Sequence, residues 1–182
     1  FMLLHLQVQP LQEVQAKNTV QQQYSLTLDA PAASPPQWLK NHRSKGMDIA
    51  IQNEQNVLYL FSNKGVLFWK KQLPGKILGP IVQVDLYKNK RLQMAFRTAK
   101  RFMILDRNGK VVRPFDIKIP LGSSPQPISV FDYDNSRDYR FVVNYGKTIR
   151  MYDRMGEIVK GFCLKSLTSA LQLNDQHLRF KR

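Results

Sequence analysis

Met103-Ile-Leu-Asp-Arg-Asn-Gly109-Lys-Val-Val112 decides the fold, because the same pattern occurs three times. The others are Leu58-Tyr-Leu-Phe-Ser-Asn-Lys-Gly65-Val-Leu-Phe-Trp69 and Ile149-Arg-Met-Tyr-Asp-Arg-Met-Gly156-Glu-Ile-Val159. Each is a β-prone run, a polar pair, a glycine and a second β-prone run. That is a hairpin, with glycine supplying the positive φ of a tight turn. The glycines are 44 and 47 residues apart (65 to 109, 109 to 156).

The pattern extends upstream of each hairpin. Ile81-Val-Gln-Val-Asp85 and Ile128-Ser-Val-Phe-Asp132 each read as a strand closed by an aspartate. Leu92–Phe96 and Tyr139–Val143 follow as second strands, after a polar loop. Ahead of the first hairpin, Pro36-Gln-Trp38-Leu39 and Met47-Asp-Ile-Ala-Ile51 fill the same two places. Four antiparallel strands repeating at about 40–50 residues is the period of a β-propeller blade. The spacing predicts an all-β, propeller-like array with blades at 33–75, 76–120 and 121–165. Residues 1–32 read as the end of an earlier blade, with Val20–Leu28 as its outer strand. Residues 166–182 read as the start of another. Leu58, Leu60, Met103, Leu105, Ile149 and Met151 are the expected core residues of the third strands. Phe96, Phe102, Trp69 and Tyr87 are expected in strand cores. Gly79-Pro80 and Gly161-Phe162 are expected as turns between blades.

Composition narrows the chemistry. The 182 residues are 43% hydrophobic and 23% charged, with mean hydropathy −0.38, as in globular proteins. No apolar run approaches the roughly 20 residues of a membrane helix. The single cysteine, Cys163, excludes an internal disulfide and reads as a packing residue. His5, His42 and His177 stand apart from each other and from any acid pair, so no metal site or general base is indicated. No nucleophile elbow, phosphate loop or dinucleotide fingerprint occurs. The chain starts at Phe1 rather than methionine and ends in mid-pattern, so it reads as a piece of a longer protein.

The turns Ser62-Asn-Lys-Gly65, Asp106-Arg-Asn-Gly109 and Asp153-Arg-Met-Gly156 resemble the pyrroloquinoline-quinone-like and WD-type β-propeller repeat. Leu28-Asp-Ala-Pro31, Leu58-Tyr-Leu60, Trp69-Lys-Lys-Gln-Leu73, Gln83-Val-Asp-Leu-Tyr-Lys88, Leu105-Asp-Arg-Asn-Gly-Lys110 and Val130-Phe-Asp-Tyr-Asp-Asn135 are similar to a group of large, uncharacterised bacterial proteins built on such repeats. The resemblance covers about residues 20–165. It implies a propeller fold in a bacterial protein and leans toward the cell envelope or periplasm. It implies no activity. The tryptophan-docking blades, quinone-site carboxylates and vicinal disulfide of true quinoproteins have no counterparts here, so no quinone cofactor is expected.

Two sets of residues are candidates for a site. Asp132, Asp134, Asn135 and Asp138 alternate carboxylates on one loop, as a calcium site does when it gathers six to eight oxygens. The competing reading is a turn in which Asp and Asn cap backbone amides. The second set is basic. Lysine and arginine number 28 against 13 acids, a formal charge of +15. From Lys88 to Lys118 there are ten basic residues and two acids. Lys88, Arg91, Arg97, Lys100 and Arg101 are the expected anion-binding residues there, with affinity that falls with salt. The favoured function is a non-catalytic scaffold for protein interaction. The alternatives are a ligand- or substrate-binding propeller of quinoprotein type and a polyanion-binding surface; nucleic acid is the less expected partner.

Overall fold

The computed structural model describes residues 25–44 and 46–165, the last three by backbone alone. The expectations for 1–24 and 166–182 lie outside these. Among the described residues the fold is all-β: three four-stranded antiparallel sheets and no helix. The first sheet is β1 (Gln37–Lys40), β2 (Met47–Gln52), β3 (Val57–Ser62) and β4 (Leu67–Gln72). The second is β5 (Val82–Val84), β6 (Gln93–Arg97), β7 (Arg101–Leu105) and β8 (Val111–Lys118). The third is β9 (Ser129–Phe131), β10 (Arg140–Tyr145), β11 (Thr148–Tyr152) and β12 (Ile158–Lys165). In each sheet the strands lie side by side in chain order, so every connection within a sheet joins neighbours.

The hairpins between third and fourth strands form for one local reason. Gly65, Gly109 and Gly156 have φ of 80, 78 and 82°, and each donates its N–H to the carbonyl three residues earlier at 3.0 Å. The residue that accepts there also caps the turn through its side chain. Asp106 Oδ1 accepts from Asn108 N and Lys110 N, and Asp153 Oδ1 from Met155 N and Glu157 N. Ser62 Oγ does the same for Lys64 N and Val66 N. A serine thus replaces aspartate with the turn unchanged.

The sheets stack through shared cores. Leu39, Leu58 and Leu60 of the first sheet pack with Met94, Phe96, Met103 and Leu105 of the second. The opposite face of the second sheet (Val84, Ala95, Phe102, Ile104, Phe115) packs with Phe141, Val143 and Tyr152 of the third. The middle sheet is buried on both faces, which is why β6 and β7 read as nearly continuous apolar runs. The six expected third-strand residues are all buried. They do not share one face, however. Leu58, Leu60, Met103 and Leu105 meet between the first two sheets, while Ile149 and Met151 lie on the far face of the third with Val142.

Two expectations need correction. Gly161 and Phe162 lie within β12, not in a turn between sheets. Gly161 has φ of 80° where the β11–β12 register shifts, so the glycine serves a β-bulge. Tyr87 is 59% exposed on the β5–β6 loop rather than buried in a strand. The strand closed by Asp85 is only three residues long, which leaves Tyr87 beyond its end.

Candidate functional site: the charged seams between sheets

The acidic loop of the third sheet has a twin. In the loop after Asp85, Lys88 and Lys90 have φ of 54 and 63°; after Asp132, Asn135 and Arg137 have 54 and 64°. The offsets from the aspartate are the same, three and five residues. In both loops the aspartate accepts from the amide five residues on: Lys90 N to Asp85 at 2.7 Å, Arg137 N to Asp132 at 3.1 Å. Asp132 therefore caps its turn, as Asp85 does. Asp134 accepts from the hydroxyl and amide of Ser136, and the hydroxyl bond holds its carboxyl below the usual range. Asn135 is exposed at a left-handed position.

Asp138 faces cations instead. It accepts from Lys88 Nζ at 2.9 Å and Arg154 Nε at 2.8 Å. The Lys88 bond is the main cause that keeps its carboxyl below the usual range. Asp132 thus faces a backbone amide, Asp134 and Asp138 share the Ser136 hydroxyl, and among the described residues no three His, Cys, Asp or Glu side chains are grouped as a metal site needs.

What this loop does is join two sheets. Lys88 of the second sheet reaches Asp138 of the third, and Arg137 of the third reaches Asp85 of the second at 3.1 Å. Arg154 also donates to Leu86 O at 3.4 Å, and Asp85 N donates to Tyr139 Oη at 3.1 Å. The seam between the first and second sheets is built from the corresponding turn. Arg107 and Arg154 each stand two residues before a turn glycine, and each reaches back to the preceding sheet. Arg107 pairs with Asp48, which is buried and also accepts from Asn41 Nδ2 at 3.0 Å. Its guanidinium lies 4.9 Å from the Phe68 ring centroid, and its carbonyl accepts from Trp69 Nε1 at 2.7 Å. Gly109 packs on the Trp69 ring: a Cβ there would meet it at 3.0 Å. Beside this pair is His42, whose Nδ1 accepts from Leu92 N at 3.3 Å. Burial is the first cause that lowers the His42 pKa, followed by the charges of Arg107, Arg43 and Arg91; Asp48 opposes them. The cleft that Lys40, His42, Asp48, Gln83 and Arg107 help to line encloses about 10 Å³, room for a single water.

The five basic candidates do not share one face. Lys88 is ion-paired, as above. Arg101 pairs with Asp116 at 2.6 Å. Arg97 is fully buried: its guanidinium donates to Thr98 O, Ser124 O and Asn144 O at 3.2–3.4 Å, and Nη2 is buried without a partner. Burial lowers its pKa. Arg91 and Lys100 are exposed, but at opposite ends of β6, roughly 15 Å apart at about 3.4 Å per strand residue. The seam residues Asp48, Arg107, Arg137 and Arg154 were not singled out by the sequence reading. For Arg107 and Arg154 a signal was present in the repeated Asp-Arg-x-Gly of 106–109 and 153–156; Asp48 and Arg137 lie outside it.

No family model matches the chain, and no curated protein matches it. No helix among the described residues is long and apolar enough to cross a membrane.

Proposed function

We propose that this chain is a run of propeller-type blades that serves as a non-catalytic scaffold for protein interaction within a bacterial protein of the repeat group it resembles. One observation carries this reading. At the loop end Lys88, Arg107, Arg137 and Arg154 are engaged in holding sheet to sheet, while apolar side chains project from it. Tyr87 is 59%, Tyr133 56% and Met155 59% exposed, on the β5–β6 loop, the β9–β10 loop and the β11–β12 turn. These loops share one end, because each precedes a second strand or follows a third. Tyrosine and methionine are enriched where proteins meet. The test is chemical cross-linking of the chain in intact cells that make it. Tyr87→Ser with Met155→Ser should remove a specific cross-linked partner and leave the thermal midpoint within about 2 °C, as surface substitutions do. Cross-linking that is unchanged in the double variant sinks the assignment.

A polyanion-binding surface is the second reading, favoured by the formal charge of +15. It expects retention on a polyanion column that about 0.5 M salt abolishes, and weaker retention after Arg91→Glu with Lys100→Glu. Retention that survives the salt, or ignores both substitutions, excludes it.

A further inference from the structure

We propose that the face of the first sheet that carries Trp38 and Met47 is a stacking surface for another four-stranded sheet of this same repeat. The inference rests on the stacked-repeat reading above, and adds which face is open and what fits it. Register gives the equivalences. Trp38 pairs with Ile49, Gln83 with Met94 and Val130 with Phe141, each at the same place in its sheet. Gln83 reaches into the preceding sheet: its side chain accepts from Lys40 N at 2.7 Å and donates to Lys40 O at 2.9 Å. Val130 packs into the core shared with the preceding sheet. Trp38, in the same position, is 60% exposed.

Met47 repeats the comparison. Its equivalents are Leu92 and Tyr139, 45 and 92 residues on (47 to 92, 47 to 139). Leu92 bonds through its amide to His42, and Tyr139 through its hydroxyl to Asp85, each in the preceding sheet. Met47 is 40% exposed. Two positions that touch a preceding sheet in both later repeats therefore face solvent in the first.

A second observation names the occupant. Residues 25–33 enter the first sheet as 70–78 enter the second from the end of β4. Ala32 bridges Asn53 as Ile77 bridges Thr98. Ala33 N donates to Gln52 O at 2.8 Å as Leu78 N donates to Arg97 O at 2.8 Å. Leu26 and Leu28 pack on Ile49, Tyr59 and Phe61, on the same face as Trp38. Leu28 stands 45 residues before Leu73 (28 to 73), which is buried between the first two sheets. Residues 25–28 thus occupy the place of the end of a preceding fourth strand, and the open part of the face is where the first strand of that sheet belongs. The indole N–H of Trp38 can donate to that strand's carbonyl as Gln83 Nε2 does to Lys40 O.

The probe is a copy of the first sheet itself. Residues 33–73 are placed directly before Asp29, so that Leu73 takes the position of Leu28; everything from Asp29 onward is kept. Trp38→Gln and Trp69→Phe in the added copy, and Trp69→Phe in the original, leave the original Trp38 as the sole tryptophan. The reference is the 182-residue chain with Trp69→Phe. Stacking should lower acrylamide quenching of Trp38 severalfold, shift its emission to the blue and raise the thermal midpoint. A folded chimera with Trp38 as accessible as in the reference overturns the proposal. So does a chimera that loses its β-sheet circular dichroism, since a correctly stacked repeat should add stability. Dimerisation of the 182-residue chain that Trp38→Glu abolishes would assign the face to a second copy and also overturn it. Ring closure and partner capture affect none of these readouts, so failure here is distinct from failure of the scaffold reading.

Discussion

The two seams occupy the same place in the repeat and are held by different chemistry. Between the first and second sheets one ion pair, Asp48–Arg107, is nearly withdrawn from solvent, with side chains 3% and 13% exposed. Between the second and third, the side chains of Lys88–Asp138 are 38% and 44% exposed, and Arg137, 38% exposed, reaches the buried carboxylate of Asp85. The apolar parts differ too. The first seam is packed mainly with leucine and methionine around Phe96. The second has an aromatic cluster in which Phe102, Phe115, Phe141 and Tyr152 lie with ring centroids 5.3–6.2 Å apart. Side-chain amides fill the remaining places in the first seam and a guanidinium in the second. Gln52 accepts from Ile77 N at 2.8 Å and donates to Gly75 O at 3.0 Å, while Arg97, its equivalent, makes three longer bonds and leaves Nη2 without a partner. One backbone arrangement therefore accepts both a dry ion pair with an aliphatic core and a partly exposed ion network with an aromatic one. What the repeat conserves in space is which strands meet, not which side chains join them.

The sharpest way to break the comparison is to empty the aromatic seam. Phe102→Ala removes a fully buried ring from the centre of the cluster and should cost about 4 kcal/mol, the usual range for a buried phenylalanine. Urea unfolding measures it; a loss under about 1 kcal/mol would show that the second seam does not depend on this cluster.

The next effect separates the ion pairs. Arg107→Ala leaves the Asp48 carboxylate buried without its cation and should cost about 3 kcal/mol. Arg154→Ala, at the equivalent turn position, removes a solvent-screened pair and should leave the midpoint within error. Equal losses in the two variants would mean that burial does not govern the difference.

The smallest effect is a pH dependence confined to the first seam. Burial and the charges of Arg107, Arg43 and Arg91 lower the His42 pKa below its ordinary value of 6.5, and Nδ1 accepts a hydrogen bond that protonation would remove. Between the lowered folded value and 6.5 the unfolded chain binds a proton that the folded chain does not. Stability is thus full above about 6.5 and falls as pH drops below it, until the folded value is passed. His42→Gln should flatten that slope when midpoints are compared between pH 7.5 and 5. An unchanged slope would place the acid sensitivity in other groups.

Much of this was legible in the sequence, for identifiable reasons. Gly65, Gly109 and Gly156 mark turns because a two-stranded hairpin demands positive φ locally, whatever surrounds it. The first strands were short but recognisable from the aspartates 47 residues apart (85 to 132). Gly161 was misplaced because a glycine at positive φ looks alike in a turn and in a bulge; only the partner strand tells them apart. Tyr87 was misplaced because alternation does not reveal where a three-residue strand ends. The acidic loop was singled out for its carboxylates, and its competing reading as a capped turn describes Asp132 and Asp134 as the structure places them. The cations that face Asp138 come from Lys88, 50 residues earlier (88 to 138), and from Arg154. Arg97 shows the same limit, since a lysine- and arginine-rich stretch reads as surface until its neighbours are known.

By itself the sequence determined that the chain makes hairpins at a period near 45 residues and that four strands make a unit. Those are local properties: turn conformation, side-chain alternation and strand propensity act within about ten residues. Tertiary structure alone decided that the middle sheet is covered on both faces, that Arg97 is buried and Arg91 is not, and that Arg107 and Arg154 reach back to the sheet before. These depend on which faces meet across 40 residues or more, and a hydrophobic strand carries no record of which partner will cover it.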